Sequence, residues 1–147
     1  MSLKKPTAES TKREIGFYFE KYTEKQLKKQ GMKPLEHSYL YYPYEIDLIM
    51  LDGTEIVFVE VKERLDTERF SPEFYADKNK MNNIFKAASG YIAELKKKNV
   101  DILALTYRFD LASIIRDADF NVEKFEYHKN FFKAAKEDLL KYAVNEI

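Results

Sequence analysis

The chain has 147 residues, 45% hydrophobic and 34% charged, a length that suits one domain built around one core. Lys plus Arg and Asp plus Glu each number 25, so bulk positive charge does not drive nucleic-acid binding, and any such contact needs a local basic patch. The absence of cysteine excludes a disulfide framework, a thiolate zinc site and a thiol nucleophile. No apolar run reaches the roughly 18 residues of a membrane span, and Met1 to Lys5 lead into polar sequence, so a soluble, cytoplasmic protein without membrane contact is expected.

Residues 1–9 read as a loose arm. Thr11 and Glu14 have capping-box spacing, and Gly31 suits a helix terminator. Between them Ile15, Tyr18, Phe19, Tyr22 and Leu27 fall on one helical stripe. His37 to Tyr42 is β-prone, and Pro43 ends it. Glu45–Leu51 and Glu55–Lys62 are strand-like runs flanking Asp52-Gly53, a strong short hairpin signal. Residues 63–78 read as a loop. Met81, Ile84, Phe85, Ala88, Tyr91, Ile92 and Leu95 recur at helical spacing, and Lys96 to Lys98 suit a helix C-terminus. Ile102–Leu105 and Arg108–Ile115 are β-like, and Phe131–Val144 reads as a final helix. This order predicts an α/β fold, an αβββαβ core with a mixed sheet flanked by helices, because the helix at 81–98 can return the chain to a parallel strand. One domain is expected, its core over about 10–116 with a helical extension over 117–147.

The hairpin carries the chemistry. With the turn centred on Asp52-Gly53, Leu51 opposes Thr54, and alternation puts Ile46, Leu48, Met50, Val57, Val59 and Val61 on one apolar face. The other face is apolar near the turn but holds Glu45, Asp47, Glu60 and Lys62 at the far end. Carboxylates that close repel and raise one another's pKa unless a cation sits among them. A magnesium-sized ion, hard and oxygen-seeking, resolves the repulsion, with Lys62 placed to position water or stabilise negative charge. A second reading of the same spacing is a solvated sheet end with a cross-strand ion pair, and a one-residue register shift would put Asp47 and Glu60 on opposite faces.

These residues carry a resemblance. Glu45-Ile46-Asp47-Leu48-Ile49 followed by Val57-Phe58-Val59-Glu60-Val61-Lys62 and Arg64 resembles the YraN-type family of endonuclease-like proteins, whose fold is the PD-(D/E)XK, restriction-endonuclease-like fold shared with Holliday-junction resolvases. Gly16, Glu20 and Gly31 fit its first helix, Lys80, Ala87-Ala88 and Tyr91-Ile92 its second, and Arg108-Phe109-Asp110 its last strand. The likeness covers about residues 14–115. It implies a metal-dependent endonuclease hydrolysing DNA phosphodiester bonds with Mg2+ or Mn2+. Asp47 and Glu60 match its metal ligands, Lys62 its motif lysine, and Glu20 a first-helix glutamate at the metal or its water shell, with Glu45 completing the outer shell. Tyr44, Gln26 and Ser71 depart from the pattern, and Tyr44 crowds the approach expected of a phosphate.

Arg64, Lys78, Lys80 and Lys86 read either as phosphate contacts or as solvated surface. Arg108 and Asp110 suit a structural pair at the sheet edge. His37 and His128 lack ligand spacing and read as structural or surface residues, while Tyr39, Tyr41, Tyr42 and Tyr44 suit packing or a subunit contact better than base stacking. The expected partner is nucleic acid, DNA above all. A structure-selective resolvase would require a homodimer, and the alternative of another class is a non-catalytic module that binds nucleic acid or protein.

Overall fold

Thr11 starts the first helix with a reciprocal cap, its hydroxyl accepting from the Glu14 N–H while the Glu14 carboxylate accepts from the Thr11 N–H. Helix α1 (Lys12–Lys29) buries Phe19, Thr23 and Leu27. In the computed structural model, which describes residues 3–68 and 77–145, the chain continues through β1 (Lys33–Tyr41), β2 (Tyr44–Asp52), β3 (Glu55–Leu65), α2 (Lys78–Lys97), β4 (Thr106–Arg116), β5 (Val122–Phe132) and α3 (Lys136–Asn145). Of the expected loop over 63–78, Glu63 to Leu65 instead extend β3 and Lys78 begins α2, while residues 69–76, Ser71 among them, lie outside the described residues. The five strands form one sheet in the order β1-β2-β3-β4-β5. Only β3 and β4 run parallel, joined by α2 as the crossover, and the other pairs are antiparallel. The α/β class with a mixed sheet and flanking helices is therefore observed.

Two apolar layers hold the sheet. On the α1 side Leu27 and Met32 pack with Leu48, Met50, Val57, Val59 and Ala112, and Phe19 packs with Ile114 and Phe120. On the α2 side Ile49, Ile56, Phe58 and Phe109 meet Ile84, Ala88, Tyr91 and Ile92, with Leu139 and Ala143 of α3. Phe58 and Phe109 stack at 5.2 Å, and Tyr91 meets Phe58 edge-on. Burying each such ring contributes about 1.5–3 kcal/mol. Close packing is tightest at Gly90, where a Cβ would come within 2.4 Å of the Tyr41 ring. No helix among the described residues is long and apolar enough to cross a membrane.

Several expectations shift. The hairpin turn is Gly53-Thr54, with Asp52 opposite Glu55 and Leu51 opposite Ile56, and Gly53 adopts φ 65°. This differs from the predicted register by two residues, so faces are preserved while partners change. Ile46 leaves the face of Leu48 and joins Tyr39 and Ile49 on the α2 side. The phase slips across Asp47, where the neighbouring strand carries Ser38 in the left-handed region at φ 51°. Ile102–Leu105 is a turn with Ile102 buried, not a strand. Among described residues 117–145 only Lys136–Asn145 are helical, because Val122–Phe132 completes the sheet as β5, taking Phe131 and Phe132 out of the expected final helix, with Phe125 and Tyr127 packing on the α1 side at strand period.

Arg108 and Asp110 are paired, but inside the sheet rather than at its edge. The Arg108 Nε donates to Asp110 at 2.9 Å, and its Nη1 donates to Asp52 and Glu55 at 3.1 and 2.7 Å. Asp110, fully buried, also accepts from the Tyr127 hydroxyl at 2.6 Å and from the Asn130 N–H at 3.0 Å, where β5 bulges and Asn130 has φ 54°. Removing one member of a buried pair leaves the other charge uncompensated. Asp110→Ala should cost about 3–5 kcal/mol in denaturant unfolding, and replacing Arg108 and Asp110 together by leucines should recover part of that loss.

Candidate active site

Strands β2 and β3 stay paired from the turn as far as Leu48 and Val59, and then separate, while β3 continues alongside β4 to Leu65. The separation leaves the Val61 N–H facing β2 without a ladder acceptor. Asp47 supplies one: its Oδ2 accepts from Val61 N at 2.8 Å. The fork opens into a cleft of about 280 Å³ lined by Gly16, Phe19, Glu20, Asp47, Glu60, Val61, Lys62, Glu63, Arg64 and Lys80. The two-residue register difference matters here. Extending the observed pairing puts Asp47 across from Glu60, where the predicted register faced Glu60 with Glu45.

Glu20 arrives from α1 and is held by Ser38, whose hydroxyl donates to Glu20 Oε1 at 3.1 Å, with His37 Nε2 at 3.7 Å from the same oxygen. Burial, with Glu45 and Glu60 adding repulsion, pushes its carboxyl up to about 7. Asp47 is driven well above the usual carboxylate range, first by burial and then by Glu60 and Glu20, the Val61 N–H pulling the other way. Glu60 is 8% exposed, and its Oε1 receives Lys80 Nζ at 2.6 Å and Lys62 Nζ at 3.3 Å. Burial and the neighbouring Lys80 lower the Lys62 amine, whereas for Lys80 burial is outweighed by Glu60, Lys62 and Asp47 together, and the amine is raised. Burial lowers His37, and Lys21 adds to the effect.

The structure thus brings Glu20, Asp47, Glu60, Lys62, Arg64 and Lys80 to one cleft. Glu45 stays exposed and acts on Glu20 only through its charge. Arg64 also donates to the Glu63 carbonyl. Lys78 begins α2 but lines no part of the cleft, and Lys86 sits over the Tyr44 ring at 5.4 Å. His37 and Ser38 belong beside Glu20, a placement the spacing analysis missed. The tight turn at Tyr42-Pro43, with Tyr41 opposite Tyr44, is the signal that could have found it, because it sets Ser38 across from Asp47. Tyr39 is core, Tyr41 packs against Gly90, and Tyr42 is exposed.

The donor set fits a hard divalent cation: three oxygen-bearing groups, two of them raised first by burial and then by neighbouring carboxylates, line one cleft. Among the described residues no three acidic or histidine side chains already stand as a closed metal cluster, and Glu60 is engaged by lysines and Asp47 by a backbone amide. A carboxyl raised from 4.5 to about 7 on folding stabilises the protein fully below its unfolded value and loses that contribution as pH rises through 7. In a chelator, wild type should therefore lose stability relative to Glu20→Gln as pH rises from 4.5 to about 7. After discounting for solvent screening, an effect of about 1 kcal/mol shifts the thermal midpoint by about 2–4 °C. A constant difference between the two proteins across that window would contradict this.

Sequence comparison agrees with a shared ancestry for this region. The family described as "Uncharacterised protein family UPF0102" matches residues 19–114. A UPF0102 protein of Vibrio campbellii is 35% identical over 104 residues, 71% of this chain and 83% of that protein. Relatives of the same name in Clostridium perfringens and Dictyoglomus thermophilum are 33% and 34% identical, each over 82% of this chain and over 92% and 98% of their own lengths. The matched span starts at Phe19, just before Glu20, and runs through β4 to Ile114, enclosing every residue of the cleft except Gly16. The chain belongs to the UPF0102 family.

Proposed function

We propose that this protein is a metal-dependent endonuclease that hydrolyses DNA phosphodiester bonds. The observation that carries the reading is the gathering of Glu20, Asp47 and Glu60 at the fork between β2 and β3, with Lys62, Arg64 and Lys80 on the same cleft. The resemblance of the Glu45–Ile49 and Val57–Arg64 segments to YraN-type nuclease-like proteins supports it. Asp47 and Glu60 would hold Mg2+ or Mn2+, with Glu20 at the ion or its water shell and Glu45 outside. Bound there, the cation would polarise the scissile phosphate and acidify a bound water.

The chain's own residues supply the rest. Lys62, its amine lowered by burial, is suited to orient the attacking water by hydrogen bonding to it. Arg64 and Lys80 offer positive charge to phosphate oxygens, which supplies the local basic patch that zero net charge requires. The Val61 N–H fixes the Asp47 carboxylate before any ligand arrives. A structure-selective resolvase would pair two such clefts in a homodimer working in the cytoplasm.

A non-catalytic module that binds nucleic acid or protein has one observation in its favour, the occupation of Glu60 by two ammonium groups. Two variants separate the readings. Asp47→Asn and Glu60→Gln should each lower Mg2+- or Mn2+-dependent cleavage of linear or branched duplexes by about 10²–10³-fold, with the fold retained by circular dichroism. Cleavage at the wild-type rate in both variants would end the nuclease assignment.

A further inference from the structure

The first turn of α2 runs against helix electrostatics. The partial positive charge at a helix N-terminus favours acidic side chains there by about 0.3–1 kcal/mol each. The first turn of α2 has none and carries Lys78 and Lys80, with Asp77 as the cap. Lys78 is exposed. Lys80 instead crosses to β3 and places its Nζ 2.6 Å from Glu60 Oε1, the oxygen that Lys62 Nζ already approaches at 3.3 Å. Two ammonium groups on one carboxylate oxygen repel each other, so the pair is more cation than Glu60 needs.

Lys80 also has room to leave. Like Glu60 and Lys62, it lines both the carboxylate cleft and an adjoining recess of about 20 Å³, whose remaining wall is Asp77, Met81, Ile84, Leu111 and Phe131. Its side chain is 38% exposed, and lysine is a point charge on a flexible four-carbon stem. Lys62, by contrast, is 18% exposed and rises from the same strand as Glu60.

We propose that Lys80 is a relay counter-ion, held on Glu60 before metal binds and transferred to a non-bridging oxygen of the substrate phosphodiester when Glu60 takes a divalent cation. This rests on the nuclease reading above. Glu60 Oε1 already carries the amines of Lys62 and Lys80, and Arg64 lines the same cleft. A divalent cation seated on Glu60 adds positive charge beside these groups, and a phosphodiester supplies an anion to which Lys80 can turn. Metal and phosphate therefore bind best together, and Lys80 is the side chain that changes partner between the two states.

The test is calorimetric titration of Ca2+ into wild type, Lys80→Met and Lys80→Gln, each alone and with a short duplex DNA. Without DNA, both variants should bind Ca2+ about tenfold more tightly than wild type, because no ammonium group has to be displaced from Glu60. In wild type the duplex should strengthen Ca2+ binding, and in the variants that strengthening should vanish. Variant affinity equal to or weaker than wild type, or no effect of DNA on Ca2+ binding by wild type, overturns the relay while leaving the nuclease reading standing. No Ca2+ uptake by wild type in either condition overturns both.

Discussion

An aspartate stands in for a missing strand. Where β2 turns away from β3, one backbone amide would face the gap without an acceptor, and Asp47 fills the vacancy with its carboxylate. The hydrogen bond permits the fork, and the fork makes the cleft. It also holds a carboxyl group beside Glu60 and within reach of the field of Glu20, where burial and both neighbours oppose its ionisation. The same residue thus ends a sheet ladder and begins a candidate ligand set.

Asp110 does comparable work on the neighbouring strand. Its carboxylate accepts the Asn130 amide at the bulge in β5, and Arg108 ties it to Asp52 and Glu55 at the hairpin end. The Arg108 guanidinium is raised by these acids against the opposing effect of burial, which keeps it charged throughout. The sheet is braced at the turn end by the ion network of Arg108 and left open at the other end, where the carboxylates and lysines collect. Rigidity at one end and an unfilled fork at the other are suited to holding side chains in place for an incoming ligand.

Much of this was legible in local pattern. The capping box at Thr11 and Glu14, the helical stripe of α2 and the apolar runs flanking Asp52-Gly53 all act over short separations, where propensity and periodicity decide. The grouping of Asp47, Glu60 and Lys62 survived a two-residue register difference because strand faces repeat every two residues. What escaped depends on distant partners. Phe125 and Tyr127 lie on a strand because β4 offers an edge to pair with, while the mixed polar run around them carries little strand signal. Ile46 changes face because Ser38, on another strand, takes a left-handed conformation. Lys80 meets Glu60 only after α2 has folded over the sheet, so no spacing along the chain announces it.

The two outer strands carry one more consequence. β1 contains Pro34, a register shift between Pro34 and Glu36, and left-handed Ser38; β5 carries left-handed Asn130 and an irregular register at each end of its pairing. Neither rim therefore presents a long, evenly spaced row of amides to a second copy. Sheet growth from chain to chain, the route to fibrils and strand-exchanged dimers, meets a broken template on both sides, and copies that associate have to do so through helices, loops or the faces of the layers.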